Sequence, residues 1–598
     1  MHLLNLLANL HTMNSIIRLS LAALLFTACV PESNQQDHTV IFHANVDPGG
    51  LHAFNSSSNT RNHLFKYTQK TLTQTNIESL EAVPILVERL PSVDSTGKVY
   101  SFQLIKDAKW DDGTPFTSKD VLFTVKATLC PLADNAVFRS NYTSVIDSIV
   151  LDPENPSHAF KLYTKKRQWT DRKIFNEIYM QPAHLWDSTG VLEQVTFKQL
   201  QDTSWVPSEE LKSYFEGFND ASKAFEPKYM YGLGAYKVSK WEKDRFIILE
   251  RKENYWGEDK ESLAFQNHPK RIVFKIIQEA EAVKLALLNQ EIDVSTSISS
   301  EHMEELLKDT SFTNNYYHAY TDQFSFTYLA LNMRPKESQT QIFKEKAVRK
   351  AFAHVVPMDE IINDILKGQA SRMISNEFPN KPIFNQSLKV IPFKLSKATE
   401  LLDQAGWVDT DQDGIREKTI EGQELELSFK LVYMDAPSIK EITLMIANEA
   451  EKVGFQVETE GLQFRDYVSA VLGQNFDVAL GSWGGSGEYQ NPYQLWHTDS
   501  WKNNGINFVG FGNDYTDSLI QAANSAITEE AFQEAYDQFQ AAVYEEQPYV
   551  FLYTFKRKIA VSKKFNQPKF YAERPGVLLN TLTLAEGAKQ TSVFDSIP

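Results

Sequence analysis

Asp409-Thr-Asp411-Gln-Asp413-Gly414 sets three carboxylates at alternate positions ahead of a glycine, the spacing of a Ca²⁺ loop. Ca²⁺ needs hard oxygen ligands converging on one ion and a glycine where the chain turns sharply. Ile420 stands at the twelfth position, where a bidentate Glu would complete the loop, and Glu421 comes one residue late. The donor set is incomplete, and no metal is expected on it. Enzyme signatures are absent: the chain has no His-Glu-x-x-His, no Gly-x-Ser-x-Gly and no phosphate-cradling P-loop. Gly232-Leu-Gly234 lacks the third glycine of a dinucleotide site. The 13 histidines are scattered, which supports neither a zinc site nor a Cys-His pair. The residues point to non-covalent binding without a cofactor, and a lipid-anchored hydrolase stands as the weaker rival.

Binding residues need a scaffold, and the patterning predicts an α/β one. Strands are expected at Thr39–His43, Tyr100–Ile105, Phe246–Arg251, Arg271–Ile277, Phe326–Asn332, Phe476–Trp483 and Tyr549–Tyr553, alternating with amphipathic helices. Trp110-Asp-Asp-Gly-Thr-Pro115 is dense in turn signals, and Thr117 with Asp120 has capping-box spacing for a helix through Leu129. That motif reads as structural. Gly232 and Gly234 precede a strand from Tyr236. They either let a ligand approach the backbone or form a tight turn into a hairpin.

At 598 residues the chain exceeds what one hydrophobic core supports, and at least two lobes are expected. A net charge of −17 argues against nucleic acid, whose phosphates need clustered Lys and Arg. The N-terminus reads as a signal peptide over residues 1–29, with Met13 as a possible start, Arg18 as its basic flank and Leu19–Phe26 as its apolar segment. Thr27-Ala28-Cys29 resembles a bacterial lipobox, in which Cys29 becomes the lipidated first residue. The expected location is extracytoplasmic, held to an envelope membrane by the anchor alone. The other cysteine, Cys130, is then a small buried hydrophobe.

Several blocks in series resemble the peptide, dipeptide and nickel family of ABC-transporter solute-binding proteins. They are Tyr100–Phe123, Gly232–Tyr236 through Tyr255-Trp256, Ala286-Leu with Glu291-Ile-Asp293, Phe343–Phe352, Leu401–Arg416 and Phe476–Trp483. The resemblance implies a two-lobe periplasmic-binding-protein fold with the ligand cleft between lobes. Carried onto this chain, residues 30–85, 225–312 and 552–598 form lobe one, 86–224 a subdomain inserted in it, and 313–551 lobe two. It further implies a monomer that closes by hinge motion on a short peptide and docks on ABC permease subunits. The same fold binding a metal chelate or an oligosaccharide, or serving as a peptide sensor, is the alternative.

Site residues follow from the resemblance. Relatives grip the ligand amine with an aspartate after the Trp483-type strand. Glu488 is the acid in that stretch, and an exposed loop carboxylate is its other reading. Gly484 and Tyr489 flank it, and Trp483 either floors the cleft or packs in the core. Asn45, Phe54, Asn55 and Ser57 fall in the first-lobe loop that faces the cleft in relatives.

Overall fold

The computed structural model describes residues 38–588 apart from 56–57, 168, 170–172, 421 and 504. The signal-peptide and Cys29 expectations lie outside these residues. The chain folds as two α/β halves linked by one unusually long strand.

In the first half, Thr39–Ala44 runs parallel to Arg271–Ile276, followed by the antiparallel hairpin Tyr236–Glu242 and Phe246–Arg251. The hairpin turns at Asp244, whose φ of 59° suits a short polar side chain. In the second half, Ser325–Leu331 pairs with Val478–Gly484, beside the parallel strands Ser428–Met434 and Gln456–Leu462. Tyr549–Ser562 joins the two. Its first residues pair with Ser325–Leu331, and its last seven pair with Tyr316–Asp322. Twelve strands thereby form one continuous ladder among the described residues.

This pairing shifts the exchanges between halves relative to the sequence reading. Tyr316–Asp322 belongs with the first half, because it matches Lys556–Ser562 residue for residue. The crossovers fall near 323–324 and 555, against 312/313 and 551/552. The Thr554 hydroxyl donates to the Gln323 carbonyl at 2.8 Å and ties the two crossovers together.

A separate four-stranded antiparallel sheet, 92–93, 99–103, 159–164 and 146–151, lies within residues 86–224. The helix Ser118–Leu129 packs there, and Thr117 and Asp120 form the capping box that the spacing predicts. One apolar cluster runs from this sheet into the first half, through Phe102, Val121, Ile247 and Ile559. The second half has two clusters, one on each face of its sheet. Leu80 and Trp169 from the first half pack against the second of these, across the divide.

Candidate functional site

A cavity of about 1240 Å³ opens between the halves. One wall comes from the turn at Leu80–Ala82, from Leu90 and Pro91, and from the irregular segment carrying Lys173 and Glu177. The other comes from Phe326, the stretch Trp483–Asn491 and Phe532.

Four expected residues meet here: Trp483, Gly484, Glu488 and Tyr489 all line the cavity. Trp483 ends the buried strand Val478–Gly484, which fixes its direction. Its ring lies near-parallel to Tyr328 and Phe508, and its Nε1 donates to the Tyr549 hydroxyl at 3.4 Å. Trp483 therefore serves core and cleft at once. At Gly484 a Cβ would meet nothing within 4 Å, which leaves that backbone open to the cavity. Tyr489 is wedged edge-on against Phe532 and Tyr536, and its hydroxyl donates to Asn524. Burial raises its phenol pKa well above the usual range, so it stays a neutral donor.

Glu488 sits in the cleft but is already engaged. Its Oε1 accepts from the Thr75 hydroxyl and from Asn176 Nδ2 at 3.1 Å, both on the first half. Asn176 is positioned in turn by Thr73, whose hydroxyl donates to its Oδ1 at 2.6 Å. From the second half, Lys381 Nζ donates to the Glu488 carbonyl at 3.1 Å. Lys381 also pairs with Glu377 at 2.9 Å, with both side chains almost fully buried, and Tyr536 donates to that Glu377. Through Oε1, Glu488 thus ties the two halves together across the cleft.

The remaining expected residues stand elsewhere. Asn45 is exposed at the end of its strand and accepts from the Ser297 hydroxyl. Phe54 is buried among His52, Phe123, Trp186 and Phe218. Its apolar ring completes that cluster instead of facing the cleft. Asn55 donates to Asn219 Oδ1 at 3.0 Å, away from the cavity. Ser57 lies outside the described residues. Gly232 and Gly234 do allow a close approach, but to the chain itself. A Cβ on either would lie 1.9 Å from the Thr68 carbonyl oxygen or 2.1 Å from that of Tyr67. Asp111, from the turn-rich motif, accepts from Gly232 N–H and pairs with Lys252 at 2.5 Å, which fits the structural reading of that motif.

The carboxylate oxygens of Asp409, Asp411 and Asp413 lie within 4.8 Å of one another, far along the chain from any cavity-lining segment. They accept from the N–H groups of Gly414, Asp413 and Ile415, which closes the turn.

Sequence reasoning missed the wall contributed by residues 80–177. Lys173 and Glu177 lie in a segment with no periodicity and no motif. Burial raises the Glu177 carboxyl above the ordinary range, and the nearby Glu488 adds to this. Burial lowers the Lys173 amine, opposed mainly by the attraction of Glu488. Across the cleft, Trp169 stacks on Phe532 with ring centroids 4.5 Å apart and planes 7° from parallel. Nothing in the sequence pairs those two rings.

Residues 81–505 match the model for bacterial extracellular solute-binding proteins, family 5. The oligopeptide-binding protein AppA of Bacillus subtilis is 24% identical over 526 residues, covering 87% of this chain and 86% of that one. Its structure with a nonapeptide superimposes with a TM-score of 0.62 at 21% identity, over 92% of this chain and all of that one. NikA of Brucella suis in complex with Fe(III)-EDTA gives 0.69 at 20% identity, over the same shares. These structures share the fold: two halves about a cleft. With most of its length matched by the family and its halves enclosing a cavity, the chain belongs to the family 5 bacterial extracellular solute-binding proteins.

Proposed function

We propose that this protein captures a short peptide in the cleft and delivers it to an ABC importer. The observation that carries the reading is the 1240 Å³ cavity bounded by both halves. It exceeds the roughly 300–1,000 Å³ usual for drug-sized ligands and suits several residues of extended chain. Its walls alternate aromatic faces with amide and carboxylate groups. Such walls can hold a peptide by its main chain and leave side chains in hydrated space. Contacts to both halves bias the closed form, because a ligand shifts an equilibrium only by its differential affinity. No bond is made or broken in this cycle.

The metal-chelate reading has less support. No histidine lines the cavity among the described residues, and carboxylates outnumber amines there. We further propose that Cys29 carries the lipid anchor; Cys29→Ser should then release the protein from membranes. The decisive test of function is mass spectrometry of ligand released on denaturing the purified protein, followed by calorimetry. Recovered peptides of a few residues are the expected result. A metal chelate or sugar in their place would overturn the peptide assignment.

A further inference from the structure

The charge in the cleft is lopsided. Glu81, Asp94, Glu177, Glu488 and Glu529 line it, with Lys173 as the one amine among the described residues. These carboxylates are not equivalent. Asp94 is used by its own turn, accepting from Thr96, Lys98 and Val99. Glu488 is fastened by Thr75 and Asn176. Glu177 makes no hydrogen bond or ion pair among the described residues and remains solvent-accessible within the cavity. Its side chain is exposed within the cleft, where partial desolvation and, second, the Glu488 charge both work against its ionisation. A carboxylate so placed, facing the cavity without a partner, can take a cation brought by a guest in a charge-assisted pair. The aromatic lining points the same way: Tyr142, Trp169, Trp483 and Tyr489 line the cavity, and aromatic rings attract ammonium and guanidinium groups.

We propose that the cavity selects ligands of net positive charge, with Glu177 as the counter-charge for a lysine or arginine side chain of a bound peptide. This rests on the peptide reading above and adds the class of peptide. Glu177 acts as a specificity determinant: it discriminates against acidic peptides by repulsion and against neutral ones by its missing partner.

Calorimetry on the full chain tests this with three pentapeptides of equal length carrying lysine, glutamine or glutamate at the same two positions. Each is used with a free and an acetylated amino end. The lysine peptide should bind about tenfold or more tighter than the glutamine peptide, and the glutamate peptide weakest, in line with a charge-assisted hydrogen bond. Glu177→Gln should abolish most of the lysine preference and leave the affinity for the glutamine peptide within about twofold. Glu529→Gln, at an exposed helix start, should reduce the preference less and serves as the second variant. Binding of all three peptides with equal affinity would overturn the charge inference and leave the peptide reading intact. Binding of none would overturn the peptide reading itself. A preference that vanishes on acetylation and ignores the side chain would reassign the cation to the peptide amino end and overturn the lysine assignment. An unaltered preference in Glu177→Gln would overturn the role of that residue.

Discussion

Glu488 shows how a carboxylate can be placed in the cleft from sequence while its partners stay hidden. Its loop position after Trp483 is plain from the sequence, and it does face the cleft. The donors that meet it, Thr75 and Asn176, are 413 and 312 residues away in the chain, and no local pattern announces them. The consequence is testable. Glu488→Ala should weaken free-amine and acetylated peptides alike, by about tenfold, because it removes a charged acceptor that fastens the two halves. Calorimetry on matched peptide pairs checks this, and a loss confined to free-amine peptides would restore the amine-gripping role. Gly234 illustrates the converse. The sequence marks a place where only glycine fits, yet the neighbour is the carbonyl of Tyr67 and not a guest. Gly234→Ala forces a backbone shift and should cost about 2–4 kcal/mol of stability, with affinity per folded molecule unchanged. Thermal and chemical denaturation followed by titration separates the two effects.

Elements whose signals are local came through from sequence alone. The capped helix Ser118–Leu129 and the hairpin around Asp244 fall where turn chemistry and periodicity put them. Tyr549–Ser562 did not. Its apolar opening, Tyr549–Tyr553, reads as a five-residue strand, whereas the run Lys556-Arg557-Lys558 is cationic and carries no strand signal. Pairing on both sides with distant strands, not propensity, extends it. A second element-scale feature is the loop at His52. Its Nδ1 accepts from the N–H groups of Phe54 and Asn55, so its Nε2 carries the proton and donates to the Phe218 carbonyl at 2.9 Å. Burial, the largest cause, lowers its pKa to about 4. The folded state keeps this ring neutral while the unfolded chain binds a proton below about pH 6.5. Stability from this group is therefore complete above pH 6.5 and is lost as pH falls from 6.5 towards 4. The loss approaches ~1.4 kcal/mol per pH unit within that window. His52→Gln should flatten the fall in unfolding free energy between pH 6.5 and 5 by close to one proton's worth. An unchanged slope would show that His52 is not the titrating group.

At the scale of the molecule, the halves meet through a few close contacts. Gly487 makes one of them: its N–H donates to Glu573, and a Cβ there would lie 2.5 Å from Leu80 Cδ2 and 2.8 Å from Glu573 Oε2, both on the facing half. Leu80 itself is held at φ 59°, a conformation a bulky residue rarely adopts, in the turn that presents it to the second half. Gly487→Ala should leave each half folded and penalise closure by about 1–3 kcal/mol, as overpacking does. Small-angle scattering with saturating ligand should show the wild-type protein contracting and the variant staying extended. Equal contraction would show that this contact does not govern closure. The two-half architecture was legible in sequence because the blocks recur in family order. The cavity wall from residues 80–177 was not, because it is assembled by tertiary placement of irregular chain.

Tyr549–Ser562 also dictates the order in which the protein can mature. It is central to both halves, yet it leaves the ribosome after every strand it pairs with has been made. Until it arrives, Ser325–Leu331 and Tyr316–Asp322 both lack an edge partner. Neither half can complete its share of the ladder early, so both finish folding together once this strand is made.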